Sequence, residues 1–348
     1  MHFYEYLFTS LIIIIMLVAA STMVATFPET SSDVSEREQL KEVAQKIMTQ
    51  LLVNCGEPPD WGSNINIHSS DITMFGLAAY SYTTREAYTL DPDKVSRLNK
   101  FLQNIKPTLY IQPQQVATLL NLGNDYGFKI EFYPSLNVTV NLENSQVKVK
   151  VTSNYDALPI VNANIVAKLY YYDASMQTIK NNVLESKATD YTGECILDFQ
   201  EATDNKVLIL IINYHGIKIT KVVMSENVMK ACLLGDYMFL PEYSISEDSS
   251  VVEVYIIEDG EGKSKIKDIA YTVKAKDGGY IPSYIEPSTK AILAVSGNTL
   301  ICATKEMPKS YATIDEDFSI PFAYSLERTV VIDNSLWIIR LYVWRMSW

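Results

Sequence analysis

Few residues in this chain stand in an arrangement that performs chemistry. The three histidines, His2, His68 and His215, are far apart and lack the H-x-x-x-H spacing of a zinc site. There is no C-x-x-C pair, no G-x-S-x-G elbow, no P-loop and no G-x-G-x-x-G. Gly260–Gly262 and Gly278–Gly279 have no following helix and read as hairpin turns. Asp91-Pro92-Asp93 opens like a calcium loop, but Lys94-Val95-Ser96 supplies no ligands. Asp91 is better read as a helix N-cap with Pro92 at the first helical position. No catalytic residue, metal ligand or cofactor is therefore assigned. A carboxylate pair brought together by distant loops stays open, because sequence does not display it.

Four cysteines remain: Cys55, Cys195, Cys232 and Cys302. An even number in an exported chain suggests one or two disulfides, with three possible pairings of four; buried thiols are the other reading. Cys195 shares a strand face with Leu197 and Phe199 and should point inward. Asn137-Val138-Thr139 is a glycosylation sequon on the polar face of its strand.

The elements that hold these residues begin with Leu7 to Phe27, about 21 residues without charge. As a helix it spans roughly 30 Å, the thickness of the bilayer hydrocarbon. It is expected to be a transmembrane anchor over 1–28, binding the lipid bilayer. Ala19, Ala20 and Ala25 also offer small residues for a cleavable secretory signal. Lys and Arg near the span favour the opposite orientation, but long downstream domains translocate regardless. A short N-terminus inside and the bulk outside the membrane is the expected topology.

Pro28 should end or kink this helix, and Ser35 with Glu38 reads as a capping box for the next. Over 29–55, Leu40, Val43, Ala44, Ile47, Met48, Leu51 and Leu52 form one apolar stripe. A lone stripe must dock on the following domain or on a neighbouring chain. The Leu40/Val43/Ile47/Leu51 face is therefore a candidate for a protein partner or for self-association. Residues 56–135 read as a small α+β region. One helix starts at Asp91-Pro92 and runs through Val95, Leu98, Leu102 and Ile105. A second covers Pro113 to Leu122, and a strand covers Phe128 to Phe132.

From Leu136 the period becomes two. Six or seven short strands over 136–225 predict an antiparallel β-sandwich. Residues 226–348 predict a second sandwich-like β domain, with strands at Val251–Ile257, Ile269–Lys274, Lys290–Val295 and Asn298–Thr304. Asp333-Asn334-Ser335 between Thr329–Ile332 and Leu336–Trp344 is a hairpin signature. Both faces of that last strand are bulky, so it should lie between layers with Arg340 paired or snorkelling. The fold class is mainly β with an α-helical N-terminus.

Pro159-Ile160-Val161-Asn162-Ala163-Asn164-Ile165, followed by Thr189-Asp190-Tyr191-Thr192-Gly193, resembles the carboxypeptidase-regulatory-like, transthyretin-type β-sandwich. The resemblance covers about 90 residues, roughly one domain. It implies a fold and a spacer or adhesion role, not an activity. Some related modules carry a Lys–Asn isopeptide crosslink, but Lys148 and Lys150 fall on a polar face and read as solvated. Cys55-Gly56-Glu57-Pro58-Pro59-Asp60-Trp61, Phe75-Gly76-Leu77-Ala78 and Leu90-Asp91-Pro92-Asp93-Lys94-Val95 resemble a series in uncharacterised archaeal exported proteins. The layout of anchor, helix and β domains is similar to pilin-like surface proteins. Glu5 matches in place the acidic residue near the start of mature pilins; from the residues alone it is an interfacial group at the helix start.

Net charge is 29 − 41 = −12, which argues against nucleic acid as a partner. With 48% hydrophobic and 20% charged residues the chain is not largely disordered. The expected function is a membrane-anchored structural, adhesive or pilin-like surface subunit without enzymatic activity. The alternatives are an exported ligand- or partner-binding sensor module and a surface hydrolase with a loop-assembled site.

Overall fold

The computed structural model describes residues 2–80, 88–142, 146–176, 178–199, 205–241, 254–260, 265–271, 273–276, 279–282, 285, 289–296, 298–314 and 322–346. The first element corrects an expectation. Helix α1 (His2–Val53) is one continuous helix of 52 residues and does not end at Pro28. A proline removes one backbone hydrogen bond, and helix propagating from both sides carries the chain through it. The side chains from Thr22 to Val34, with His2 and Glu5, lie outside the described set. Leu11 to Val18 are all exposed, from 46% to 69%. Among the described residues, no helix is long and apolar enough to cross a membrane.

At the other end of α1 the apolar stripe is buried within the chain itself: Leu40, Ala44, Ile47, Met48, Leu51 and Leu52 are at most 3% exposed. The stripe is thus not available to a second chain, which corrects the self-association expected of it. The surface it covers comes from both ends of the sequence. After β1 (Thr89–Leu90) come the short helices α2 (Pro92–Ser96), α3 (Lys100–Ile105) and α4 (Pro113–Leu119), then β2 (Tyr126–Pro134). The single helix expected over 91–105 is two, because Asn99 accepts from Phe101 N at 2.9 Å and caps α3.

The expected sandwich follows as β3 (Leu136–Leu142), β4 (Gln146–Ser153), β5 (Asn164–Asp173), β6 (Thr178–Ala188), β7 (Glu194–Asp198), β8 (Lys206–Tyr214) and β9 (Ile217–Met224). One sheet has order β3-β4-β7 and the other β6-β5-β8-β9. Their shared core holds Val147, Val149, Ile165, Leu197, Leu208 and Leu210.

Next are β10 (Met229–Leu234), β11 (Tyr237–Phe239), β12 (Val254–Gly260), β13 (Lys265–Tyr271), β14 (Val273–Lys276), β15 (Gly279–Pro282), β16 (Thr289–Ser296) and β17 (Thr299–Thr304). These form one eight-stranded sheet, β13-β12-β16-β17-β10-β11-β15-β14, with β10 and β17 parallel. The expected second sandwich is therefore a single mixed sheet. It packs on the first sandwich through Tyr170, Val207, Ile209, Leu293 and Cys302, giving three β layers. Strand β8 lies in the middle: Leu208 and Leu210 face one layer, Val207 and Ile209 the other. That is why its sequence is an unbroken apolar run rather than an alternation. Of the expected features here, Val251–Glu253, Glu261–Gly262 and Asp277–Gly278 lie outside the described residues.

The chain then leaves this sheet. Strands β18 (Ser310–Ala312), β19 (Tyr324–Ile332) and β20 (Ser335–Arg345) join the N-terminal strands in a sheet of order β1-β19-β20-β2-β18. Residues 226–348 are therefore not one domain, since their end completes the unit that opens with α1. The β19–β20 hairpin turns at Asp333 (φ 51°) and Asn334 (φ 58°), the paired positive φ of a primed turn. The two faces of β20 are covered unequally: Ile339, Leu341 and Val343 are 0% exposed under α1, while on the other face Trp344 is buried but Ile338, Arg340 and Tyr342 are half-buried. This corrects the expectation of two covered faces. Arg340 is paired, donating to Glu327 Oε2 from Nε at 3.0 Å and Nη2 at 2.9 Å.

Because Leu51 is sealed between α1 and this sheet, Leu51→Ala should lower the unfolding free energy by about 2–5 kcal/mol. Val53→Ala, at a half-exposed position, should change it by less than about 0.5 kcal/mol. Denaturant titration of the full chain in detergent measures both.

Candidate functional site

The three segments of the 55–95 series converge on one side chain. Trp61 is 0% exposed and packs at 5.8 Å, tilted by 32°, against Phe75. Two cations lie against it, Lys94 at 5.7 Å and Arg97 at 5.5 Å from the ring centre, both fully buried. Lys94 lies in α2 and Arg97 is its C-cap residue, still in helical conformation, so the i, i+3 spacing puts both on one face. Lys94 Nζ donates to Cys55 O at 2.8 Å and Ala78 O at 3.0 Å. Arg97 donates from Nε to Leu109 O at 2.7 Å, from Nη2 to Ile67 O at 2.8 Å, and from Nη1 to Trp61 O. Trp61 Nε1 donates to Cys55 O at 3.2 Å. The segment 54–78 has almost no regular structure, so these side chains satisfy carbonyls that no ladder reaches. Burial lowers the pKa of Lys94, and lowers that of Arg97 to about 10. Gly56 is required here: it adopts φ 76°, and a β-carbon would stand 2.6 Å from Trp61 Nε1.

Beside this knot lies a cavity of about 580 Å³ bordered by Asp91, Asp93, Lys305, Asp333 and Tyr80. It joins three parts of the chain. Asp91 Oδ1 caps α2, accepting from Asp93 N at 2.9 Å and Lys94 N at 3.3 Å, as expected from sequence. Asp93 pairs with Lys305 at 3.1 Å and accepts from Gly235 N at 3.1 Å. Lys290 pairs with Asp333 at 2.6 Å. Burial, then neighbouring Asp93, raises the pKa of Asp91; burial likewise raises Asp333 against the pull of Lys290. For Lys305 burial opposes the charge, but Asp93 and Asp333 outweigh it and raise the pKa. Carboxylates with raised pKa beside a cavity are the pattern of an acid–base site. Here Asp91 is engaged as a cap, and Asp93 and Asp333 are engaged in ion pairs. Among the described residues no cluster of His, Cys, Asp and Glu could hold a metal ion.

Sequence reasoning missed Arg97, Lys290, Lys305 and Asp333. The i, i+3 spacing of Lys94 and Arg97 was a usable signal for the first. The others meet only through tertiary folding. All four cysteines are free thiols, contrary to the expected disulfides. Cys55 is half-buried on the wall of a groove of about 1030 Å³ beside α1. Cys195 is buried in the sandwich core as expected. Cys232 and Cys302 lie on adjacent strands, but Lys230 stands opposite Cys302 and Thr304 opposite Cys232, so the two are diagonal neighbours. Burial raises the pKa of both thiols, Cys232 to about 12, which leaves them unreactive. Asn137 is exposed on β3, as is Thr139. His68 and His215 are exposed, and His215 packs edge-on to Tyr214 at 4.4 Å. Lys148 and Lys150 both pair with Glu194, at 2.8 and 3.2 Å, on an open face.

No protein-family model matches the chain, and no curated protein matches it.

Arg97→Met should destabilise the protein by about 3–5 kcal/mol, because three carbonyls, two of them buried, lose their donor. Arg97→Lys should not restore it, since one ammonium cannot replace the planar fork. The stability contributed by Lys305 is fully present below its unfolded pKa of about 10.4 and is lost as pH rises through the higher folded value. Unfolding free energies measured from pH 8 to 12 should fall in the unsubstituted chain, and Lys305→Met should lack that component.

Proposed function

We propose that the chain is a membrane-anchored cell-surface subunit of the pilin-like kind, structural or adhesive and not enzymatic, with its bulk outside the membrane. One observation carries this reading. A single helix is sealed into the folded head at one end and presents eight consecutive exposed aliphatic residues, Leu11 to Val18, at the other. Each such side chain gains roughly 1.5–3 kcal/mol on leaving water, and none of the described residues buries them. They lie within the charge-free stretch Leu7 to Phe27, which as helix matches the roughly 30 Å of bilayer hydrocarbon.

Twelve helical residues separate Phe27 from Leu40, a rise of about 20 Å between the two. The helix therefore holds the head away from the lipid surface as a rod. The −12 charge of the chain favours that separation from anionic headgroups. Cys195, Cys232 and Cys302 are buried, out of reach of an oxidising exterior. The hydrolase reading is weakened because the carboxylates at the Asp91–Asp333 cavity are already engaged in a cap and ion pairs.

Expressed in cells, the full chain should sediment with membranes and remain there in alkaline carbonate. The double variant Ile13→Asp/Ile14→Asp should move to the soluble fraction, since each central Asp costs about 2.5–3.5 kcal/mol of insertion. Recovery of the unsubstituted chain in the high-speed supernatant would overturn the proposal.

A further inference from the structure

One end of the sandwich carries an apolar tip. The loop from β4 to β5 exposes Tyr155 (84%), Leu158 (59%) and Val161 (40%), and the loop from β6 to β7 exposes Tyr191 (82%). These loops are held rigidly. Ser153 N donates to Leu158 O at 2.8 Å, and Leu158 N to Asp156 Oδ1 at 3.2 Å. Asp190 Oδ1 accepts from Thr192 N at 2.8 Å and Glu194 N at 2.9 Å. Thr189 ties the two loops together, its Oγ1 donating to Ile160 O at 2.6 Å and accepting from Ala163 N at 2.9 Å. Exposed tyrosines on preorganised loops offer large contact area at little entropic cost. Bonds from Ser153 hold the Asp156 carboxylate, and from Thr192 the Asp190 carboxylate, below the usual range, so the tip has an ionised acidic rim.

The same chain carries the opposite surface. Where the sandwich, the eight-stranded sheet and the five-stranded sheet meet, a cleft of about 330 Å³ opens. Its apolar wall includes Ile219, Met224, Met307 and Trp337, and its rim carries the exposed Lys221 and Lys309. That volume is at the low end of the roughly 300–1,000 Å³ of ligand pockets, enough for a few side chains. An apolar cleft rimmed by lysines is complementary to an apolar tip rimmed by aspartates.

We infer that the tip of one copy docks into the cleft of a second copy of this chain. Unlike surfaces meeting head to tail form a heterologous contact, which propagates into rings or filaments rather than stopping at a dimer. This deepens the reading of the chain as a structural surface subunit and rests on it. The contact is local, against a background of like net charge between copies, so salt should weaken it.

Sedimentation of the full chain in detergent, at low and high salt, tests this. The unsubstituted chain should form salt-sensitive assemblies larger than a dimer. The tip variant Tyr155→Ser/Tyr191→Ser and the cleft variant Lys221→Glu/Lys309→Glu should each associate at least about tenfold more weakly and remain monomeric. All four positions are exposed, so both variants should fold. An equal mixture of the two should form dimers that do not grow, because each supplies the surface the other lacks. An unsubstituted chain that stays monomeric, or a tip variant that still assembles, overturns the inference. Membrane sedimentation should be the same for all three proteins, so failure of docking is distinguishable from failure of the anchor.

Discussion

The N-terminal part of the head is organised around the burial of two cations beside one indole. Taking Lys94 and Arg97 out of water is unfavourable, and their lowered pKa values record that. The donors they bring are matched by carbonyls of Cys55, Trp61, Ile67, Ala78 and Leu109. Those carbonyls belong to loops that could not otherwise be buried. The two sides of the arrangement need each other: the loops need donors, and the cations need acceptors. The result fixes the C-terminal end of α1 to α2 and to the floor of the head.

The head is closed by strands that arrive last. Strand β20 lies between β2 and β19, and its apolar face meets the stripe of α1. Nearly the whole sequence separates the partners, so the helix cannot find its cover until the chain is almost complete. Such long-range closure slows folding relative to local pairing. The ion pairs Asp93–Lys305 and Lys290–Asp333 sit at the same closure and tie the hairpin turn and the large sheet to α2.

Local rules read much of this from sequence. Local patterning marks β3, β4, β5, β7, β8 and β9 as strands but gives no sign of β6, and it gives the apolar stripe of α1 that the fold buries. Asp91 was recognised as a cap, and Asp333-Asn334 as a turn. These are decided by neighbours along the chain. What escaped was decided at a distance. The period of β19 and β20 shows that they are strands, not that they leave one sheet to finish another. A stripe shows that a helix docks, not on what. The uncharged run and Pro28 read locally as two helices, whereas propagation from both sides makes one. Of the candidate site, the cap and the 55–95 series were visible as residues. Their meeting at Trp61, and the lysines and aspartate that join them from the far end of the chain, required the fold.

In the proposed arrangement α1 anchors an exterior head to a membrane. Protease added to intact cells tests it most directly, with fragments followed by antibodies to the head and to the N-terminal end of α1. Head fragments should disappear while the membrane is intact, and the apolar end of α1 should survive. A head that resists digestion until the cells are broken open would contradict it.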